Sequence, residues 1–399
     1  MSEANKQRAT LLVLGVAAFV LGSAEFVIVG VLDLVAADLA VPLSVAGDLV
    51  MAYALGIAVG GPLVTFATGR LDRRTALIVT LCLFVVGNVV MVLTNRMSWL
   101  LAARFLPGSM HGAFVGIASV VAASVARPGQ EGQAMGRVFG GVAVATVIGV
   151  PLGAIIAHAL SWRLAFAAIA GLTVLAIAGV YVYLPCCDPH PGGNALVQVR
   201  AALAPRVLVL LLMGLLLMGG QFAAYTYMAP YLHDVTGIPG SWISAMLLVY
   251  GAASAIGMFL GGALADRGAA KALIIANVLL VAVLAGLYAA GPNRWVTAGL
   301  LAIWGAVAFG LVPSLQLRVV KMAAAGADLA ATLSASAINA GIALGAVLGG
   351  WMLAAVGTRS VVLLAAGICA LALPLTIGTG SWQATTETMD AEPDEVSSV

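Results

Sequence analysis

Apolar runs broken by short polar stops recur along all 399 residues of the chain. A helix needs about 20 apolar residues to cross the hydrocarbon layer of a bilayer. On that measure the pattern predicts helices over 9–33, 43–68, 75–94, 98–125, 133–159, 162–184, 206–232, 240–265, 270–290, 294–318, 327–355 and 359–379, twelve in all. The longest connection, 185–205, is rich in Pro, Gly and polar residues and separates the spans six from six. The expected organisation is an N-terminal tail (1–8), a six-helix bundle (9–184), a linker (185–205), a second six-helix bundle (206–380) and a tail (381–399). That tail is acidic and without apolar periodicity, so disorder is expected there.

The two halves read as repeats. Gly141, Ala145, Gly149 and Gly153 form a small-residue stripe in the fifth span, and Ala337, Gly341, Gly345 and Gly349 repeat it 196 positions later. Gly56 and Gly60 in the second span recur 197 positions on as Ala253 and Gly257. Small residues every four positions let another helix approach closely. Parallel repeats of this kind are the arrangement in which two bundles rock about a central site.

Basic residues orient the spans. With the N-terminus in the cytoplasm, Lys6, Arg8, Arg70, Arg73, Arg74, Arg127, Arg137, Arg267, Lys271 and Lys321 among others fall inside, and only Arg96, Arg163, Arg294 and Arg359 fall outside. By the positive-inside rule this predicts a multi-pass protein of the plasma (inner) membrane with both termini cytoplasmic.

Composition supports the same class. The chain is 62% hydrophobic and 9% charged, where a soluble domain carries about 25% charged residues. A soluble enzyme is excluded, and a net charge of +2 gives no reason to expect nucleic acid as a partner. Four cysteines, Cys82, Cys186, Cys187 and Cys369, lack a disulfide-framework spacing, and the adjacent pair is read as ordinary thiols. Lys6, Arg8 and Gly22-Ser23-Ala24 imitate a signal peptide, but the apolar run continues past Ala24, so an uncleaved first span is expected.

Ionisable groups inside the apolar runs are the candidate chemistry. Glu25 lies in the middle of the first span, where a carboxylate costs about 2.5–3.5 kcal/mol on insertion scales. It persists by facing a water-filled cavity or a partner, or by taking up a proton. The competing reading is a structural acid held by hydrogen bonds. Asp33 is eight residues on, about 80° round the helix and about 12 Å along it. It is either a second proton site or a solvated helix end. Arg104 and His111 are seven apart on the fourth span and fall within about 20° of one direction. A guanidinium there needs an acid or several carbonyls. His111 titrates near neutral pH and is a candidate relay, or a neutral ring bonded to a carbonyl. In the seventh span Gln221 and Tyr225 share a face with Met218 beside them, and the 196 offset makes Gln221 the counterpart of Glu25. Such aromatic, amide and thioether groups suit a broad pocket. Asn339, Trp304 and Asn88 rank below them.

Several stretches resemble the major facilitator superfamily, in its twelve-span drug:proton antiporter family, and within it the arabinose-efflux-like and chloramphenicol-exporter branch. They are Ala24-Glu25-Phe26-Val27-Ile28, Arg104-Phe105-Leu106-Pro107-Gly108, His111-Gly112-Ala113-Phe114, Gly149-Val150-Pro151-Leu152-Gly153, Ser161-Trp162-Arg163 and Tyr225-Thr226-Tyr227-Met228-Ala229-Pro230. The resemblance covers about residues 9–380. The chain departs from the pattern at Asp33, where the family often has proline, and at Pro107, where it has glutamine. The family's cytoplasmic loop motif is clean only as Gly262-Ala263-Leu264-Ala265-Asp266-Arg267; in the first half Gly69 stands where its aspartate is expected, with Asp72 and Arg73 following.

The resemblance implies an all-α membrane protein of the major facilitator fold, with two pseudo-symmetric bundles and the first and fourth spans side by side. With those spans adjacent, the buried Glu25 is read as the proton and substrate carboxylate and Arg104 as its modulator. Gly149, Pro151 and Gly153 would be the helix contact that governs rocking, with Asp72, Arg73, Asp266 and Arg267 at the loops. No nucleotide-binding, metal-ligand or nucleophile motif stands in the chain, so no cofactor and no metal are expected, and an ion gradient supplies the energy. A proton crossing about 100 mV releases about 2.3 kcal/mol, worth roughly a fortyfold solute gradient. The expected activity is proton-coupled export of small drug-like molecules, chloramphenicol-type among them, by a monomer in the lipid bilayer. A sugar or nucleoside transporter of the same fold is the alternative, and a non-transporting membrane sensor the remote one.

Overall fold

The computed structural model describes residues 3–41, 43–184 and 195–382, and among them every regular element is helical. Cys186, Cys187 and nearly all of the acidic tail lie outside the described residues.

The first predicted span is α1 (Glu3–Val27), a 3-10 turn (Ile28–Val31) and α2 (Leu32–Asp38). The second is α3 (Leu43–Leu55) and α4 (Gly61–Thr68), joined by a π-helical turn at Gly56–Gly60. α5 (Arg73–Leu93) and α6 (Met97–Val125) follow. The fifth is α7 (Glu131–Val144) and α8 (Val150–Ala159), with a second π turn at Ala145–Gly149, and α9 (Trp162–Tyr183) is the sixth. The expected linker contains an unanticipated helix, α10 (Ala195–Ala202). Then come α11 (Pro205–Tyr225), α12 (Met228–Asp234), α13 (Gly240–Ala290), α14 (Arg294–Ala323), α15 (Ala327–Val356), α16 (Thr358–Leu371) and α17 (Leu373–Gly378). The caps follow from the sequence: Asp72 accepts from the Thr75 N–H at the start of α5, and Asn293 from Trp295 and Val296 at the start of α14.

Nine stretches of the described residues are long and apolar enough to cross a membrane. Two of them, 46 and 63 residues long, would run about 70 and 95 Å as single straight helices, two to three times a bilayer's core. The first lies within α13, which turns back at Gly268, where φ is 158°, a backbone conformation open to glycine. Gly262 lies against Gly132, whereas Gly291 returns beside Val235, next to where α13 began. The second stretch is interrupted by a 3-10 turn at Ala324–Gly326. Gly326 is needed there because a β-carbon would strike the α10 backbone at Gln198 and Ala202.

Two hydrophobic cores organise the helices. One is drawn from residues between Leu11 and Leu184, including Phe84, Phe114 and Phe166. The other runs from Ala202 to Ala372, including Leu217, Tyr231 and Trp304, with Met135, Phe139 and Ala143 joining it from α7. Large apolar side chains such as Leu63, Leu175 and Trp351 face outward, while Arg104, Asn88 and Gln221 are buried. That inversion suits lipid rather than water outside.

The repeat is visible in the packing. Gly108 of α6 lies on the carbonyl of Tyr53, and Gly305 of α14 on that of Tyr250, both pairs displaced by 197 positions. Gly141 of α7 lies on the Gly15 carbonyl and Gly341 of α15 on that of Leu215, displaced by 200. The 196 offset read from the stripes is therefore one helical turn out. In the observed register the counterpart of Glu25 is Tyr225, not Gln221.

Candidate functional site

Glu25 sits in the last turn of α1, just before the α-helix tightens into the 3-10 turn. Its side chain is 21% exposed, and its Oε2 lies 3.4 Å from Nδ1 of His111 on α6. The same Nδ1 is 3.0 Å from the Tyr53 hydroxyl, which also reaches the Leu21 carbonyl at 3.3 Å. The contacts allow two proton arrangements. With a proton on Nδ1, the ring donates toward Glu25 or Tyr53, and Tyr53 donates to Leu21. With Nδ1 bare, it accepts from Tyr53 or from a protonated Glu25. Carboxyl and imidazole thus stand within ion-pair distance, with the Tyr53 phenol hydrogen-bonded to the same ring nitrogen.

Arg104 is 2% exposed and belongs to the same cluster. It donates to three backbone carbonyls, from Nε to Leu49 at 3.2 Å and from the terminal nitrogens to Ala24 at 2.9 Å and Glu25 at 3.3 Å. The Ala24 and Glu25 carbonyls lie in the last turn of α1, where the α-helix gives way to the 3-10 turn. The guanidinium also stands 4.2 Å from the Tyr53 ring centre, a cation–π distance. Of the two solutions expected for Arg104, an acid or several carbonyls, the contacts are with carbonyls. Arg104 and His111 both meet Glu25 and Tyr53, in keeping with their seven-residue spacing.

In the second half Tyr225 stacks on Tyr250 with ring centres 4.5 Å apart, and Trp304 stands edge-on to both at 6.2 and 5.2 Å. Phe222 extends this wall. Gln221 is fully buried and donates to Met218 Sδ at 3.0 Å. Its Oε1, the Tyr250 hydroxyl and the Trp304 Nε1 have no hydrogen-bond partner among the described residues. Asn339 turns back to its own helix, donating to the Ala335 carbonyl at 3.0 Å. It joins neither group, and Asn88 likewise bonds the Phe84 carbonyl of α5. The side chains of Asp33 and Pro151 lie outside the described residues.

Tyr53 and Tyr250 escaped the sequence reading. The signal was present: they are separated by the same 197 positions as Gly60 and Gly257. The residue types also differ instructively. Where the first half places a carboxyl beside its tyrosine, the second places another aromatic ring.

Gly149 and Gly153 pack on Ser23 and Val27 of α1, where a β-carbon would overlap the Ser23 Oγ and the Val27 side chain. They hold the segment carrying Glu25 against α8.

The loop residues need correction. Among the described residues Asp72 makes no bond to the second core; it caps α5, and although partial burial raises its carboxyl, hydrogen bonds from Thr75 and from the backbone of Asp72 and Arg74 together hold it below the usual range. Arg73 makes the connection instead, donating through Nε and Nη2 to both carboxylate oxygens of Asp328 at 3.1–3.2 Å. Thr65 faces the start of α15, bonding Thr332 at 2.9 Å. In the second half Asp266 accepts from the N–H groups of Gly132 and Gln133 at 2.5 and 3.0 Å, a carboxylate at a helix N-terminus. Arg267 is exposed beside the bend.

These bonds share one end of the molecule, the end rich in basic residues. With Gln316 to Ser119 at 3.1 Å, Lys321 to Glu131 at 3.8 Å and Ser336 to the Ile57 carbonyl at 3.4 Å, they are the polar connections between the two cores among the described residues. At the opposite end the polar bonds stay within one core: Arg163 with Asp38 and Asn95, and Asp234 with His233 and Thr358. The molecule is closed at its basic end.

The sequence model of the Major Facilitator Superfamily matches residues 14–335. The chain is 36% identical to the "Inner membrane transport protein YdhP" of Escherichia coli O157:H7, over 92% of this chain and 94% of that one. It is 32% identical to a "Chloramphenicol resistance protein" of Streptomyces lividans, over 84% of this chain and 86% of that one. Among solved structures the E. coli fucose:proton symporter FucP shares the fold, with a TM-score of 0.76 at 14% identity, covering 95% of this chain and 99% of that one.

Proposed function

The chain belongs to the Major Facilitator Superfamily and is a multi-pass membrane transporter, not an enzyme; from that premise we propose that it is a proton-coupled exporter of small amphipathic, drug-like molecules. The observation that carries the reading is the Glu25–His111 contact at 3.4 Å, a carboxyl and an imidazole within ion-pair distance inside an apolar helix bundle. The aromatic wall of Tyr225, Tyr250 and Trp304, in the corresponding place of the other half, supports an apolar ring-bearing substrate. The chloramphenicol resistance relative supports the drug-like class and the direction.

The architecture we propose is twelve spans in two bundles, 9–184 and 206–380. Counting α7–α8 as one span and dividing the two overlong stretches at Gly268 and at Ala324–Gly326 gives that number. The basic end is the cytoplasmic one by the positive-inside rule, with both termini there. A molecule closed at that end is in the part of an alternating-access cycle in which the cytoplasmic path is shut.

In the proposed cycle substrate enters from the cytoplasm when the basic end is open and rests between Glu25 and the aromatic wall. After the bundles rock, a proton from outside occupies Glu25 beside His111 Nδ1, and substrate leaves. Proton and substrate compete for one carboxyl, which makes the exchange obligatory. Arg104 fixes the α1 backbone beneath Glu25. Asp33 is a second proton site in this scheme, set nearer the outside. No cofactor takes part, and the gradient drives the cycle.

Cells producing the chain are expected to survive higher chloramphenicol or ethidium concentrations than cells producing Glu25→Gln at equal membrane levels. Equal susceptibility of both to phenicols and dyes would reject the exporter reading.

A further inference from the structure

A second site lies away from the central cluster, on the outer face at the basic end. A groove of about 480 Å³ runs between α1, α7 and α13. Its floor exists because Gly15 and Gly141 let α1 and α7 touch backbone to backbone. Leu12, Val16 and Phe259 line it and are exposed. At its mouth stand two arginines, Arg8 from α1 and Arg137 from the second turn of α7. Both are exposed, and among the described residues neither has an ion pair, a hydrogen bond or an aromatic ring partner. This contrasts with Arg73, Arg104, Arg163, Arg318 and Arg359, each of which has a partner in the protein.

Two unpaired guanidinium groups above an exposed apolar groove define a ligand by complementarity. It has an anionic, oxygen-rich head and a hydrocarbon tail, and it lies in the membrane. Guanidinium forks match phosphate oxygens in geometry, and basic pockets between membrane helices select anionic lipid headgroups. We infer that this groove is a binding site for one anionic phospholipid, its phosphate between Arg8 and Arg137 and an acyl chain along Leu12, Val16 and Phe259. Phe259 belongs to the second half and packs on Gly140 of the first. The bound lipid therefore touches both halves and favours the arrangement closed at the basic end.

The test is native mass spectrometry of the full chain released from mixed micelles of phosphatidylglycerol and phosphatidylcholine. Two basic groups near the headgroup predict about a 30-fold preference for phosphatidylglycerol in one bound lipid. The double variant Arg8→Gln/Arg137→Gln is expected to lose it, and Arg294→Gln, at the opposite end, to keep it. Val16→Trp, which fills the groove and leaves both charges, is expected to lose it too. Retention of the preference in the double variant would overturn the site, and retention in Val16→Trp would reduce it to a surface charge effect and overturn the groove. Glycerol phosphate displacing the lipid at equal concentration would also overturn the proposal, since the tail would then contribute nothing. Melting temperature in phosphatidylcholine alone checks that each variant is folded.

Discussion

Oε2 of Glu25 stands 3.4 Å from Nδ1 of His111, and the Tyr53 hydroxyl closes on the same nitrogen at 3.0 Å. A carboxyl, an imidazole and a phenol from three helices thus share one ring nitrogen. A proton on Nδ1 makes the ring a donor to the carboxylate or the phenol, and a bare Nδ1 makes it an acceptor.

Tyr53→Phe removes one donor from that nitrogen and leaves the ring that carries Arg104. A buried hydrogen bond contributes about 0.5–1.5 kcal/mol, so the variant is expected to fold with a small loss of stability. Its transport rate against pH is expected to be displaced, because His111 loses the partner that orients it. An unchanged pH profile would remove Tyr53 from the relay.

Arg104→Lys keeps the charge and loses the planar fork that reaches Leu49, Ala24 and Glu25. One ammonium cannot serve all three carbonyls at those positions, and each buried acceptor left bare costs about 1–3 kcal/mol. A lowered melting temperature in detergent, together with impaired transport, is the expected outcome. A wild-type melting temperature would show that the carbonyl contacts are dispensable.

Arg73→Asp and Asp328→Arg each place like charges across the basic end, and the double exchange restores opposite ones. Labelling of a cysteine placed at Ser336, where the halves also meet, is expected to rise from the cytoplasmic side in each single variant and fall back in the double. Equal labelling in all four proteins would refute the latch.

Asp38 governs no part of the pH dependence near neutrality. The Arg163 hydrogen bond holds its carboxyl below the ordinary aspartate range, helped by Trp162 against slight desolvation. A group with a depressed folded pKa contributes its stability above the unfolded value, near 3.9, and loses it as pH falls through the folded one. The melting-temperature difference between wild type and Asp38→Asn is therefore expected to be constant from about pH 5.5 to 8 and to vanish only in strong acid. A difference that changes within the neutral range would contradict this assignment.

Much of this arrangement was legible in the residues. A charge in an apolar run is costly wherever it sits, so Glu25, Arg104 and His111 stood out, and the seven-residue spacing put the latter two on one face. Tyr53 did not stand out, since a tyrosine in a membrane helix carries no comparable penalty; only its repeat partner Tyr250 marked it. The carbonyl partners of Arg104 depend on where α1 stops being α-helical, and the 3-10 turn at Ile28–Val31 leaves the apolar pattern intact. The same is true of the π turns in the second and fifth spans. The one-turn error in the repeat register arose because a stripe with a four-residue period matches itself after every shift of four. The Arg73–Asp328 pair was hidden because a sequence does not tell which of two neighbours, Asp72 or Arg73, caps a helix and which crosses to the other half.

In the proposed cycle Glu25 carries the proton that drives exchange. That role is tested most directly by reconstituting wild type and Glu25→Gln in liposomes, imposing a pH gradient, and recording ethidium or chloramphenicol movement with internal pH. The account predicts coupled movement for wild type, and for the variant loss of both gradient-driven transport and substrate-induced proton flux, with normal insertion and melting temperature. Coupled flux at the wild-type rate in Glu25→Gln would contradict it.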